Sequence, residues 1–316
     1  MKQIIKKIKK LGFRLGVKKL IGYEAIFSCA FCKREKGAEL YTGADSREKE
    51  FMVLPHSEKY WYADPLLYEK DGKEVVFLER VDRKTGRGCI ACADLSKGQW
   101  TEPVPVIEEP FHMSFPMCFT WGRELYMMPE TEMSGQLNLY RCTQFPYGWE
   151  KAGEFLRGVK LVDSIILEQD ENKILFLASE YKKDDDFYTR FHGYEMEKAD
   201  GTIFCRDLGR KNEDYALNAR TAGPMIENKG RLIPLQRSTS GIYGYSVQFT
   251  RYEENLTGNF HGKLLGKTEK ELLPGDIRIK GRKLIGVHTY SQSAHYEMID
   301  IQYLVFNKNK WRRKRK

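Results

Sequence analysis

Two carboxylates stand at the mouths of strands that otherwise read as buried core. Asp64 lies in YWYADPLL, residues 60–67, and Asp163 in KLVDSIIL, residues 160–167. An acid placed in an apolar strand is costly unless it is paired or used. Cleavage or transfer of a glycosidic bond uses such acids in pairs. One acts as a base, and the other is kept protonated by burial or a neighbouring charge. Carboxyl groups about 6.5–9.5 Å apart leave room for a water or an acceptor hydroxyl and give inversion. Glu130, which ends the apolar strand LYMMPE, and Glu180, which ends ILFLASE, are further acids at the ends of apolar strands. Trp61, Tyr62, Phe115 and Trp121 flank these motifs and offer flat faces for sugar rings. Packing between neighbouring elements is the plainer role for Phe115 and Trp149.

A repeat must position these residues. From residue 60 a unit of four short strands recurs, opened by ADPLLYEKDGKEVVFLE, SFPMCFTWGRELYMMPE, VDSIILEQDENKILFLASE and AGPMIENKGRLIPLQRS. KLIGVHTYS and YEMIDIQYLVFNK complete the series. Asp64 to Ser114 is 50 residues and Ser114 to Asp163 is 49. A period near 50 with about four strands predicts a β-propeller. Residues 60–310 span about 250, enough for five blades. The chain is therefore predicted to be all-β, a five-bladed β-propeller with a short N-terminal amphipathic helix. A two-domain β-sandwich protein is disfavoured by the fixed period. Residues 1–40 form a basic N-terminal segment, 41–307 the propeller and 308–316 a basic tail.

In a propeller the first strand of each blade lines the central channel. A polar residue at its start points into a shared funnel, so Asp64, His112, Ser114, Asp163, Arg220 and His288 should converge there. Alone, each would serve as a strand-end cap; recurring at one phase, they point to a site. The side chains of Asp64 and Asp163 are expected to be wet. Arg220 and His288 could hold an anionic group, such as a phosphate or an acidic sugar.

The remaining composition sets limits. Hydrophobic residues make up 41% of the chain and aromatics 13%, which suits a large packed core. No apolar run approaches the ~18 residues that cross a bilayer, and the basic N-terminus lacks the h-region of a signal peptide. A cytoplasmic location is expected. The seven cysteines suit reduced thiols better than a disulfide framework. Two CxxC pairs, Cys29/Cys32 and Cys89/Cys92, raise a zinc site, but GCIACADL reads as a buried strand and no metal ligand is assigned. No Gly-rich phosphate loop is present, the DDD stretch at Asp184–Asp186 reads as an exposed loop, and no cofactor is expected.

Charge is concentrated at the ends. Residues 1–19 carry eight bases and residues 308–316 seven, with no acid in either stretch. Removing these 15 from 53 leaves 38 bases against 44 acids, so the net +9 belongs to the ends. Ile4, Ile5, Ile8, Leu11 and Leu15 fall on one helical face with lysines around them. A basic amphipathic helix of this kind suits an anionic membrane surface, where each Lys or Arg contributes on the order of 1 kcal/mol. The apolar face and the acidic body argue against nucleic acid. The chain is expected at the inner face of the membrane, bound peripherally.

ADPLL, the strand ending in Glu79, HMSFPMCFTWGRELYMMPE, GQLNLYRCTQFPYGW and LVDSII resemble the N-terminal domain of plant glucosamine inositolphosphorylceramide transferases. They also resemble its free-standing bacterial relatives, which are often linked with surface-polysaccharide genes. NARTAGP and GVHTYS…HYEMID are similar to the later motifs of that domain. The resemblance covers roughly residues 55–305. It implies a five-bladed propeller of the type seen in family-43 glycoside hydrolases. Carried over residue by residue, it makes Asp64 the base, Asp163 the acid that tunes its partner and orients sugar, and Glu130 or Glu180 the proton donor. Three functions follow as expectations. One is glycosyl transfer in glycan or glycolipid assembly, with a glycan or activated sugar as substrate. The others are a glycoside hydrolase or phosphorylase, and a non-catalytic glycan-binding propeller that scaffolds a transferase.

The protein should sediment with anionic liposomes, and salt should weaken this, because exposed charges are screened beyond about 8 Å at physiological ionic strength. Deleting residues 1–19 should remove most of the binding. Equal sedimentation of the full-length and truncated chains would refute the membrane assignment.

Overall fold

A computed structural model describes residues 23–34, 50–55, 57–95, 99–180, 190–210, 220–227, 229–239, 242–253 and 265–306. The predicted N-terminal helix and the basic tail lie outside these residues. Two strands come early, β1 (Tyr23–Lys33) and β2 (Met52–Val53). Blade 1 is β3 (Tyr60–Lys70), β4 (Lys73–Asp82), β5 (Gly88–Asp94) and β6 (Val104–Ile107). Blade 2 is β7 (Ser114–Trp121), β8 (Glu124–Glu130), β9 (Leu137–Gln144) and β10 (Gly148–Phe155). Blade 3 is β11 (Leu161–Gln169), β12 (Lys173–Glu180), β13 (Arg190–Ala199) and β14 (Thr202–Arg210). Blade 4 is β15 (Arg220–Thr221), β16 (Ile226–Glu227), β17 (Arg231–Thr239), β18 (Ile242–Tyr252) and β19 (Leu265–Leu272). The last strands are β20 (Leu284–Gln292) and β21 (Tyr296–Phe306).

These make five antiparallel sheets, the five blades of an all-β propeller. The fifth has the order β2-β1-β21-β20, so both ends of the propeller chain build it. β1 pairs with β21 along its whole length, from Tyr23↔Phe306 to Lys33↔Tyr296. This corrects the boundary drawn at residue 41, because residues 23–33 belong to the propeller. The strand YEAIFSCAFCK precedes the first full unit, so the 50-residue period does not reveal it. Its CxxC is separated by strand geometry. Residues three apart in a strand point to opposite faces, and Cys29 and Cys32 lie in different apolar clusters.

The core is divided among the seams. Ile26, Val247, Phe249, Val287 and Tyr290 pack between blades 4 and 5. Phe119, Trp121, Tyr126, Phe176 and Tyr194 fill the seam of blades 2 and 3. Phe77, Ile90, Met113 and Met127 fill that of blades 1 and 2. Leu66, Phe115, Ile165, Leu177 and Leu235, drawn from blades 1 to 4, pack together as a further cluster. Phe31, Tyr62, Val76, Leu78 and Met298 join blade 5 to blade 1. At the seam of blades 4 and 5 the backbones nearly touch. Tyr290 N–H donates to Ala222 O at 2.7 Å, and a Cβ on Gly223 (φ 143°) would stand 1.9 Å from Tyr290 O, so only glycine fits.

Phe31 is fully buried at the closing seam, edge-on to Trp100 at 5.1 Å and Tyr296 at 5.6 Å between ring centroids. Phe31→Ala should lower the unfolding free energy in urea by about 3–5 kcal/mol. Phe204→Ala, at a side chain 57% exposed, should leave it within about 0.5 kcal/mol.

Candidate active site

The inner strands are not regular. Register slips between Ala63 and Leu66, Ser114 and Met117, Val162 and Ile165, and Val287 and Tyr290. Asp64, Phe115, Asp163 and His288 are the second residues into these four irregularities. The first three share a left-handed backbone, with φ of 47°, 46° and 50°. Such bulges bend a strand and re-aim a side chain. Asp tolerates this conformation, whereas for Phe it is a strained outlier. The repeat phase therefore runs through Phe115. Ser114 sits one residue earlier, buried in the ladder opposite Glu130.

One charged network spans all five blades. The Arg220 guanidinium donates from Nε to Asp163, from Nη2 to Glu130 Oε2 at 2.9 Å, and from Nη1 to the Tyr243 hydroxyl at 2.7 Å. Tyr243 Oη lies 3.1 Å from His288 Nε2. On the other side of that ring, Nδ1 is 2.9 Å from Asp300 Oδ2 and 3.2 Å from Asp64 Oδ1. Asp64 of blade 1 is tied to blade 2 as well, its Oδ2 accepting the Phe115 N–H at 3.3 Å. Asp300 accepts the backbone N–H groups of Asp64, His288 and Thr289 at 3.2, 3.0 and 2.7 Å.

The electrostatics follow from burial and pairing. Burial alone would lower the His288 pKa, but Asp300, aided by Tyr243 and Asp64, overrides it and holds the imidazole well above its ordinary value. Burial pushes Glu130 well above the usual carboxyl range. Arg220 opposes this, while Asp163 and Asp64 add to it. Two acids share one guanidinium, so one of them is set to keep its proton. Asp64, His288 and Asp300 bring three donor atoms within 4.8 Å. Here, however, Nδ1 faces two carboxylates as a proton donor, and the imidazolium stands where a cation would. Asp64 Oδ1 has that charge as its neighbour but no aligned hydrogen bond.

A second titrating pair lies beside the network. Gly88 N–H donates to His112 Nδ1 at 3.0 Å, and this leaves Nε2–H to donate to Glu79 Oε1 at 2.9 Å. Glu79 is raised to about 7 by burial, against the pull of His112 and with added repulsion from Asp64. Gly88 allows the packing: a Cβ there would meet Glu79 Oε1 at 2.8 Å and His112 Cε1 at 2.9 Å.

Of the residues chosen from sequence, Asp64, Asp163, Glu130, Arg220 and His288 come together. His112 is tied to Glu79. Trp61 stands at the rim, 5.7 Å from the Phe27 ring, which is 5.8 Å from His288. Tyr62 is buried in the seam of blades 5 and 1, and Trp121 is core under Lys198. Glu180 is out of phase. Ser179 opposes Val162 in the register that sets Glu79 opposite Ala63 and Glu130 opposite Ser114. The Glu180 carboxylate instead lies 3.6 Å from His192. The expectation of wet aspartates is also corrected. Asp64 and Asp163 are 4% and 3% exposed, because their own partners fill the space around them. Sequence reasoning missed Tyr243, Asp300 and the proton-holding Glu79. Asp300 carries the signal that found Asp64, an acid inside the apolar strand YEMIDIQY. Tyr243 carries none.

Residues 55–264 match the family model described as glucosamine inositolphosphorylceramide transferase 1, N-terminal. The chain is 39% identical over 198 residues to glucosamine inositolphosphorylceramide transferase 1 of Arabidopsis thaliana, covering 60% of this chain and 25% of that protein. Its counterpart from Oryza sativa subsp. japonica is 29% identical over 255 residues, covering 77% and 31%. The chain thus spans a quarter to a third of the length of these relatives. In fold it is similar to the α-L-arabinofuranosidase of Podospora anserina, with a TM-score of 0.52 at 10% identity, covering 87% of this chain and 97% of that one.

Glu79 gives a test by pH. Its folded pKa of about 7 exceeds the ordinary 4.5, so the fold binds a proton that the unfolded chain has lost. This contribution is complete below 4.5 and disappears as pH rises to 7, an effect on the order of 3 kcal/mol. Glu79→Gln should therefore match the native chain below pH 4.5 and resist urea better above pH 7. A variant less stable than the native chain at pH 8 would show that Glu79 is held as an anion.

Proposed function

Because this chain belongs to the glucosamine inositolphosphorylceramide transferase 1 N-terminal family, we propose that it is a carbohydrate-active enzyme of surface-polysaccharide or glycolipid assembly. The reaction is glycosyl transfer at the mouth of the propeller channel. The observation that carries this reading is the shared guanidinium: Arg220 holds Asp163 and Glu130 together beside Asp64 and His288.

The roles follow from the environments. Glu130, protonated through burial, donates its proton to the departing oxygen of the donor sugar. Asp64 accepts the proton of the acceptor hydroxyl as that oxygen attacks the anomeric carbon. Asp163, fixed by Arg220, orients sugar hydroxyls. Trp61 and Phe27 offer the aromatic rim. The basic ends hold the protein to the anionic inner face of the membrane, where a lipid-linked acceptor would lie.

A non-catalytic glycan-binding role is favoured by one observation: the near-complete burial of Asp64 and Asp163, whose pairs close the centre. Incubation with a panel of sugar nucleotides, lipid-linked sugars and glycosides, followed by chromatography of products, separates the two. On the transfer reading, Glu130→Gln should lower turnover by at least about 100-fold while sugar binding stays within a few-fold by calorimetry. Undiminished turnover in that variant would remove Glu130 from the mechanism. Sugar binding without turnover of any donor by the native chain would establish the binding role.

A further inference from the structure

A second cluster of donors lies at the opposite end of the strands, on the seam of blades 5 and 1. Glu69 and Glu74 oppose each other across the β3–β4 hairpin, beside its Asp71–Gly72 turn. Like charges directly opposite destabilise a strand pair. The next ladder pair, Lys70 and Lys73, points to the other face. There Lys70 lies over the Phe145 ring and Lys73 reaches Asp94 at 3.4 Å, so neither neutralises the acids. Glu74 is nevertheless buried, its side chain 8% exposed, and its Oε1 has no hydrogen-bond partner.

The β20–β21 turn brings His295 across the seam, with Nδ1 3.1 Å from Glu74 Oε2. One donor atom from each of Glu69, Glu74 and His295 lies within 4.8 Å of the others. A protonated His295 would supply one positive charge against two negative ones and leave Oε1 orphaned. We propose that Glu69, Glu74 and His295 bind one divalent first-row transition ion of the zinc type. Its charge balances both carboxylates, and the buried oxygen gains a neighbouring cation. An imidazole with two carboxylates suits Zn²⁺ or Mn²⁺ better than the oxygen-seeking Ca²⁺ or Mg²⁺. The exposure of Glu69 and His295 leaves positions for water. The ion ties blade 1 to the closing sheet, because His295 O accepts the Arg34 N–H at 2.7 Å, next to the end of β1.

The test is calorimetric titration of the metal-stripped full chain with Zn²⁺, repeated with Co²⁺ under an absorption spectrometer. One equivalent should bind, without the thiolate-to-cobalt charge-transfer band that the seven cysteines would give. His295→Ala, at an exposed side chain, and Glu74→Gln should each weaken binding at least about tenfold. Zn²⁺ should raise the melting midpoint of the native chain and leave that of His295→Ala unmoved. Absence of stoichiometric binding, unchanged affinity in His295→Ala, or a thiolate band accompanying the ion would each overturn the proposal.

Discussion

Closure of the ring is the constraint on which the rest of the structure depends. Each blade buries its faces only against its neighbours, so an open ring would expose two apolar seams. Here closure rests on a strand from before the first full blade, β1, paired along eleven residues with the last strand, β21. The site depends on the same pairing. Its side chains come from the strands of different blades, and their mutual distances exist only when the fifth sheet is complete. His288 and Asp300, on β20 and β21, reach Asp64 of blade 1 across the seam that β1 helps to build.

Within that frame the channel mouth is an electrostatic compromise. Burying three aspartates would be prohibitive without compensation. Arg220 and His288 provide it, and the backbone N–H groups around Asp300 complete it. The compensation is uneven, and the unevenness is chemically useful. Asp163 and Glu130 share the Arg220 guanidinium, Asp64 and Asp300 share the His288 imidazole, and Glu79 has only a histidine. The two glutamates are the groups pushed toward holding a proton. Environments that drive acids apart in this way are how one fold separates a base from an acid.

The bulges connect sequence to site. Asp64, Phe115 and Asp163 share one strained backbone position in successive blades, yet only two are acids. Phe115 turns into the apolar cluster drawn from blades 1 to 4 and contributes packing where its counterparts contribute charge. The chain thus repeats a backbone device and varies its chemistry blade by blade. Glu79, Glu130 and Ser179 vary in the same manner on the second strands.

The repeat, the all-β class and the five blades were legible in the sequence, because period and strand alternation are local properties that survive without coordinates. Asp64, Asp163 and His288 were legible for a related reason, because a polar group in an apolar strand stands out against its neighbours, and Arg220 by its place at the start of a repeat unit. Other features were decided only by the tertiary structure. The true phase at Phe115 needed the register slip, since one inserted residue reverses which face a side chain meets. The choice between Glu130 and Glu180 needed strand pairing. Tyr243 could be found only from its contact with Arg220 and His288, and the Glu74–His295 pair joins residues 221 apart in the chain. The proton affinities lay furthest from the sequence, because desolvation and charge pairing are set by what surrounds a group in space.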